Sequence, residues 1–341
     1  MMNKVVKSLF SAAAVCGLVM AMGTAGAADI KERVMRLAYA NGEGNPQHEG
    51  SKIFADLVAR KSGGKMVVKL FPNGSLGKDI QALSAMQGGT LEMTMMYTSL
   101  LVGNSKDAGL VQLPFLWGSW KEVFTVLDGP VGQKIHASLE PRGIIGLGYY
   151  GFGFLNMMSN KHPIVTVDDF KGQKLRVTET PINIEFINDL GGNAVSMAVA
   201  ELYNALEQRI VDGCAQPMIN VRYSKYYEVQ KYLSLTKHMY EPQSLLFSKK
   251  IWDALSADEK QVIREAFEES KGPQREMAER LEAESLTIAR EKMKVNEVSA
   301  AELAKMRQKV MPMHDKYAKE YNPELFKEMQ AEIAKFRSSQ K

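Results

Sequence analysis

Short apolar runs along this chain alternate with segments whose hydrophobic residues recur every three or four positions. Residues 34–37 predict a strand, and Ile53, Phe54, Leu57 and Val58 mark the inward face of a helix over 47–61. A second strand over 66–71 closes on Pro72-Asn73-Gly74, a helix over 79–86 ends at Gly88-Gly89, and a third strand covers 91–96. This βαβαβ alternation implies a mostly parallel sheet with helices on its faces. Ligands of such sheets sit beyond the carboxyl ends of the strands, which makes Tyr97 and Thr98 pocket candidates, although a tyrosine there equally packs on the next loop. Trp120 is expected in the core, whereas Trp117, in the apolar loop 113–117, fits either core or pocket wall.

The stretch 143–155 alternates Tyr149, Tyr150, Phe152 and Phe154 with glycines, as suits a strand that bends from one domain into another. The strand and helix alternation then restarts. A strand over 171–177 carries Arg176 towards Thr180 as N-cap and Pro181 at the first helical position. Ile182, Phe186, Ile187 and Leu190 follow at helical spacing, and Gly191-Gly192 ends the run. A strand over 194–197, a helix with Leu202, Tyr203, Leu206 and Ile210 on one face, and a strand after 211–213 complete a second unit. Residues 235–247 are extended around Pro242, an edge or crossing strand. Ser256 with Glu259 and Ser299 with Glu302 form capping boxes. The helix after the first box runs to about Met293, with a kink or break expected at Gly272-Pro273. The tail over 301–336 is helical and charged on one face.

Arg176 is the candidate chemical centre. A guanidinium at a strand end beside a helix N-terminus can give a carboxylate two parallel charge-assisted hydrogen bonds. The alternative is a structural ion pair to Glu179 or Glu185.

Composition adds limits. The N-terminal 27 residues combine Lys4 and Lys7, an apolar run over 15–22 and Ala25-Gly26-Ala27, the pattern of a secretory signal cleaved after Ala27. Residues around Cys16 do not fit a lipid-attachment site, and export would leave Cys214 as the one thiol, read as a small buried hydrophobe. Removing Lys4 and Lys7 takes the formal charge from +4 to +2, too weak to indicate nucleic acid. The five histidines are scattered, with no HExxH, GxSxG or paired metal-ligand spacing, so an exported enzyme is the weaker reading and no metal or cofactor is expected. His48 and His238 are expected at the surface or hinge.

Several motifs in order, FPNGSLGKD at 71–79, LPFLW at 113–117, SNKHPI at 159–164, DFKGQKLRV at 169–177, AELYNALEQRIVDG at 200–213 and TKHMYEP at 236–242, resemble the solute-binding receptors of tripartite ATP-independent periplasmic (TRAP) transporters. The resemblance implies an α/β, two-lobed periplasmic binding protein (type II-like) with crossing strands and a long helix spanning both lobes. One lobe would comprise 28–152 plus 241–280, the other 153–240 plus 281–341. It further implies a monomeric periplasmic receptor that closes on a small organic acid and delivers it to the small and large membrane subunits of a TRAP permease, or docks loaded on a sensor protein. Arg176 matches the family's carboxylate-binding arginine, Gln216 stands where an asparagine is usual, Tyr97 falls on another pocket position, and Val199 replaces a frequent aromatic. Thr98, Asn156 and Tyr150 join the candidate lining. Many members carry a second arginine where this chain has Leu155, so the expected ligand is a monocarboxylate with an apolar, aromatic or uncharged body.

Overall fold

The computed structural model describes residues 29–340. The predicted signal segment therefore lies outside the described residues, apart from which the apolar runs become nine strands: β1 (Arg33–Tyr39), β2 (Met66–Phe71), β3 (Met93–Tyr97), β4 (Ile144–Ser159), β5 (Lys174–Val177), β6 (Asn193–Ser196), β7 (Gly213–Pro217), β8 (Tyr232–Ser248) and β9 (Lys294–Glu297). The helices among them are α1 (Pro46–Lys61), α2 (Asp79–Gly88), α3 (Trp120–Leu127), α4 (Pro130–Ala137), α5 (Pro181–Asp189), α6 (Val199–Glu207), α7 (Met218–Tyr223), α8 (Lys249–Asp253), α9 (Ala257–Lys292), α10 (Ala300–Val310), α11 (Pro312–Tyr321) and α12 (Pro323–Ser339).

The sheet runs in the order β2-β1-β3-β8-β4-β7-β5-β6, with β9 beside β8. β1, β2 and β3 are parallel and belong to one lobe; β5, β6 and β7 are parallel and belong to the other. Two long antiparallel strands connect them, β4 with 16 residues and β8 with 17. Each spans about 50 Å at the usual rise of a strand, enough to serve both lobes. The register slips between Tyr150 and Gly153, so extra residues of β4 oppose β8 there. Gly148 and Gly153 hold φ of 152° and 139°, a region that side chains rarely adopt, and a Cβ on Gly148 would stand 2.2 Å from the Phe267 ring. The glycines of the crossing strand thus permit both the bend and its close packing.

Behind this bend lies α9, 36 residues long and uninterrupted. Of the kink or break expected at Gly272-Pro273, the break does not occur. Proline removes one helical hydrogen bond, but α9 packs on α1 and β4 through Ala266, Phe267, Ser270 and Gln274, and that packing keeps the helix whole. Gln274, fully buried, also completes the β4 bulge. Its amide oxygen accepts from the Gly151 N–H at 2.8 Å and its amide nitrogen donates to the Gly151 carbonyl at 2.8 Å. The helix starts as expected: Ser256 Oγ accepts from Glu259 N, and the Ser256 N–H donates to Glu259 Oε2. At α10 only half of the expected box forms, because the Glu302 carboxylate pairs with Lys305 at 2.6 Å while Ser299 Oγ caps Glu302 N.

Three large apolar clusters, with a small fourth around Ile219, Ala278 and Leu281, divide the interior. One lies between the first lobe's sheet and α1 and α9, with Leu37, Phe54, Phe247 and Phe267. Another fills the second lobe around Leu202, Leu206, Cys214 and Ala289. The largest covers the opposite sheet face continuously, from Leu83 and Ile135 through Leu155 to Phe186 and Ile333. The C-terminal helices belong to it: α10 packs on α5, and α12 on α3 and α4.

Four sequence expectations are corrected by this packing. Trp120 is only half-buried at the start of α3, while Trp117 is the core residue, its indole N–H donating to the Val111 carbonyl at 2.7 Å. Ile210 is 53% exposed because α6 ends at Glu207 and Arg209 turns left-handed at φ 56°, taking Ile210 off the helical face. His238 is buried, stacked on Phe186 with centroids 4.7 Å apart and hydrogen-bonded to Thr236. Burial pushes its pKa down to about 3, so it is a neutral packing residue and not a surface one. The break in α9, one of the two outcomes expected at Gly272-Pro273, is the fourth. His48 is half-buried, bonded to the Tyr39 hydroxyl at 3.0 Å.

Candidate ligand-binding site

Leu175 and Val177 on β5 enter the large apolar cluster, so strand alternation turns Arg176 to the other face, beside its ladder neighbour Cys214. Arg176 is 2% exposed. Its Nε and Nη2 donate to a single acceptor, the Met197 carbonyl, at 3.0 and 2.7 Å, and Nη1 is buried without a partner. No ion pair to Glu179 or Glu185 forms: Glu185 accepts from Lys316 and from the Tyr317 hydroxyl, and Glu179 is exposed. A buried guanidinium whose one acceptor is a neutral carbonyl leaves Nη1 available to an incoming carboxylate.

A polar seam joins the lobes nearby. β7 ends in Gln216, and one helical turn on, Asn220 of α7 donates from Nδ2 to Gln216 Oε1 at 2.8 Å and to the Tyr97 hydroxyl at 3.3 Å. Asn220 Oδ1 accepts from Asn45 Nδ2 at 3.3 Å. Asn45 also caps α1. Tyr97 and Asn45 come from the first lobe, Gln216 and Asn220 from the second, and all four are buried. Tyr97 and Gln216 of this seam were sequence candidates, and the two asparagines bonded to them were not. Asn45 before Pro46 reads as a helix cap, and Asn220 becomes legible only once α7 places it four residues beyond Gln216.

Glu241 was missed as well. It is fully buried on β8, accepting from Ser99 Oγ at 3.2 Å and from the Gln112 amide, whose oxygen in turn accepts from Thr180, the α5 N-cap. Burial pushes its pKa up to about 8, against hydrogen bonding from Ser99 and the charge of Arg176. Glu241 is thus neutral at pH 7 and does not cancel the charge of Arg176.

At the outer edge, a cleft of about 140 Å³ is lined by Asn73, Lys78 and Asp79 of the first lobe and by Glu179, Val199 and Glu201 of the second. Lys78 Nζ meets Glu201 Oε1 at 2.7 Å across it. The remaining sequence candidates lie apart from the Arg176 guanidinium. The Thr98 hydroxyl is bonded to the Pro242 carbonyl and to Ser244, and Leu155 sits in the apolar cluster, paired with Pro217 and Met239. Asn156 accepts from the Lys237 N–H and lines a groove beside α9 with Trp120 and Glu282. Tyr150 stacks on Phe267 and bonds Ser270, inside the first lobe's core. Cys214 is buried and its thiol pushed up to about 12 by desolvation, an inert packing group.

Residues 37–320 match the bacterial extracellular solute-binding proteins, family 7. The 2,3-diketo-L-gulonate-binding periplasmic protein of Escherichia coli K12 is 34% identical over 243 residues, 71% of this chain and 74% of that protein. The sugar acid binding protein of Advenella mimigardefordensis in complex with galactonate has a TM-score of 0.88 at 38% identity, covering 90% of this chain and 99% of that one. A TRAP periplasmic solute binding protein of Ochrobactrum anthropi, with its C-terminus bound in the ligand-binding pocket, has a TM-score of 0.82 at 42% identity, covering 91% and 98%.

Proposed function

Because this chain belongs to family 7 of the bacterial extracellular solute-binding proteins, a family of receptors, we infer that it captures one small monocarboxylate with a hydroxylated, uncharged body and delivers it to a TRAP permease. The observation that carries this reading is the buried Nη1 of Arg176, a charged donor without an acceptor. A ligand carboxylate supplies the missing anion. Asn45, Asn220, Gln216 and the Tyr97 hydroxyl offer neutral donors and acceptors suited to hydroxyl groups, and the apolar Leu155 leaves no cation at the position of the family's second arginine. The galactonate and diketogulonate named for the two relatives fit the same chemistry, one carboxylate and several oxygens.

Binding between lobes works by population shift. A ligand that touches both lobes stabilises the closed state by its differential contacts, with about 1.4 kcal/mol for each tenfold change in ratio. A thermal-shift screen of aldonates, uronates, aromatic acids and C4 diacids on the mature protein checks the class. Hydroxylated monoacids are expected to raise the melting temperature, with about 2.7 kcal/mol of stabilisation at a hundredfold excess over Kd. Arg176→Ala is expected to abolish the shift; a shift that survives it, or a hit that is chemically consumed, would refute the reading.

A further inference from the structure

Four charged side chains meet at the cleft mouth, and the ligand contacts inferred above do not use them. Lys78 stands at the N-cap of α2, and Asp79 follows in the first turn. Glu179 precedes the α5 N-cap, and Glu201 lies in the first turn of α6. All four line the same cleft, two from each lobe. Lys78 and Glu201 close a 2.7 Å ion pair between the lobes, a contact that separation of the lobes would break. Asp79 and Glu179 face each other as like charges, with Arg176 on β5 the further charge acting on Asp79.

We propose that Lys78 and Glu201 form a clasp that sets how readily the lobes close, and that Asp79 and Glu179 oppose it, so that closure is favoured in mildly acidic medium. This rests on the lobe-closure reading but not on the identity of the ligand. The geometry supplies the sign. In the closed form Asp79 is pushed up to about 6, by burial first and by the Glu179 charge second, with Arg176 acting the other way. Opening returns its carboxyl to water and towards the ordinary value near 3.8. Closing therefore takes up a proton, and closure strengthens as pH falls through 6 towards 4, by up to about tenfold between pH 7.5 and 5. Glu201 is held below the ordinary carboxylate range by its hydrogen bond and charge contact with Lys78.

The test measures the lobes directly, without ligand. Spin labels at Lys65→Cys and Lys231→Cys, exposed positions on opposite lobes, report the closed fraction of the ligand-free receptor by distance distribution. The expected wild-type result is a closed fraction that rises as pH drops from 7.5 to 5. Glu201→Gln should lower it about two- to fivefold at every pH, the scale of one exposed ion pair. Asp79→Asn should raise it at pH 7.5 and flatten the profile, and Glu179→Gln should move the midpoint to lower pH. A distance distribution unchanged by Glu201→Gln, or a pH profile unchanged by Asp79→Asn, would overturn the proposal. Ligand binding that survives Arg176→Ala, with the responses of the closed fraction to Glu201→Gln and Asp79→Asn as expected, would refute the ligand reading and leave the clasp standing, so the two readings fail separately.

Discussion

At the scale of single residues, the site depends on which charges are left unbalanced. The buried Arg176 guanidinium has a neutral carbonyl as its one acceptor, and burial raises the pKa of Glu241 to about 8. Glu241 also makes stability depend on pH. Its folded pKa is raised to about 8 from an ordinary 4.5, so the folded state holds a proton that the unfolded chain has released. This contribution is full below pH 4.5 and is lost as pH rises through 8. Urea denaturation at pH 5, 6.5 and 8 is expected to show falling stability for the wild type and a flatter profile for Glu241→Gln. Leu155, 4% exposed, sits in the large apolar cluster. Leu155→Arg is expected to destabilise the ligand-free protein by about 3–5 kcal/mol, as a buried charge without a partner does.

At the scale of elements, the crossing strand and the long helix stabilise each other. The β4 bulge leaves the Gly151 N–H and carbonyl without ladder partners, and Gln274 of α9 satisfies both. Gln274→Ala strands these buried groups, with an expected cost of about 2–4 kcal/mol in urea denaturation. The helix itself was legible from Ser256 and Glu259, whose reciprocal bonds form, and from the apolar spacing of Val262, Ile263, Ala266 and Phe267. Its continuity through Pro273 was not. A proline signal is local, whereas the contacts that outweigh it come from α1 and β4, more than a hundred residues away in sequence. The same limit explains Trp117 and Trp120. Both fit a core by composition, and only the turn before α3 decides which indole is buried.

At the scale of the molecule, the N-terminal segment is tied down through α9. Glu259 accepts from Arg33 Nε at 2.7 Å and from the backbone of Lys31 and Ser256. Burial alone would raise its pKa, but these donors together lower it to about 2. That contribution is present above the ordinary value of 4.5 and is lost as pH falls towards 2. Acid unfolding followed by circular dichroism is expected to begin at higher pH in Glu259→Gln than in the wild type. The C-terminal helices tie distant parts of the chain together in turn: Lys316 of α11 reaches Glu185 of α5, and Arg337 of α12 reaches Glu122 of α3.

The amino-acid order alone determined the alternating elements, the two restarted α/β units, the glycine-rich strand able to pass between them, and Arg176 as the residue fit for an anion. These follow from side-chain periodicity, caps and glycine placement, which act within a few residues. Which groups meet across the lobes was decided by the tertiary structure. Asn45 meets Asn220 across 175 positions, and Lys78 meets Glu201 across 123. The neutrality of Glu241 likewise comes from burial by the whole fold. Contacts between lobes and the desolvation they create have no local signature, because each partner alone is an ordinary cap, surface charge or strand residue.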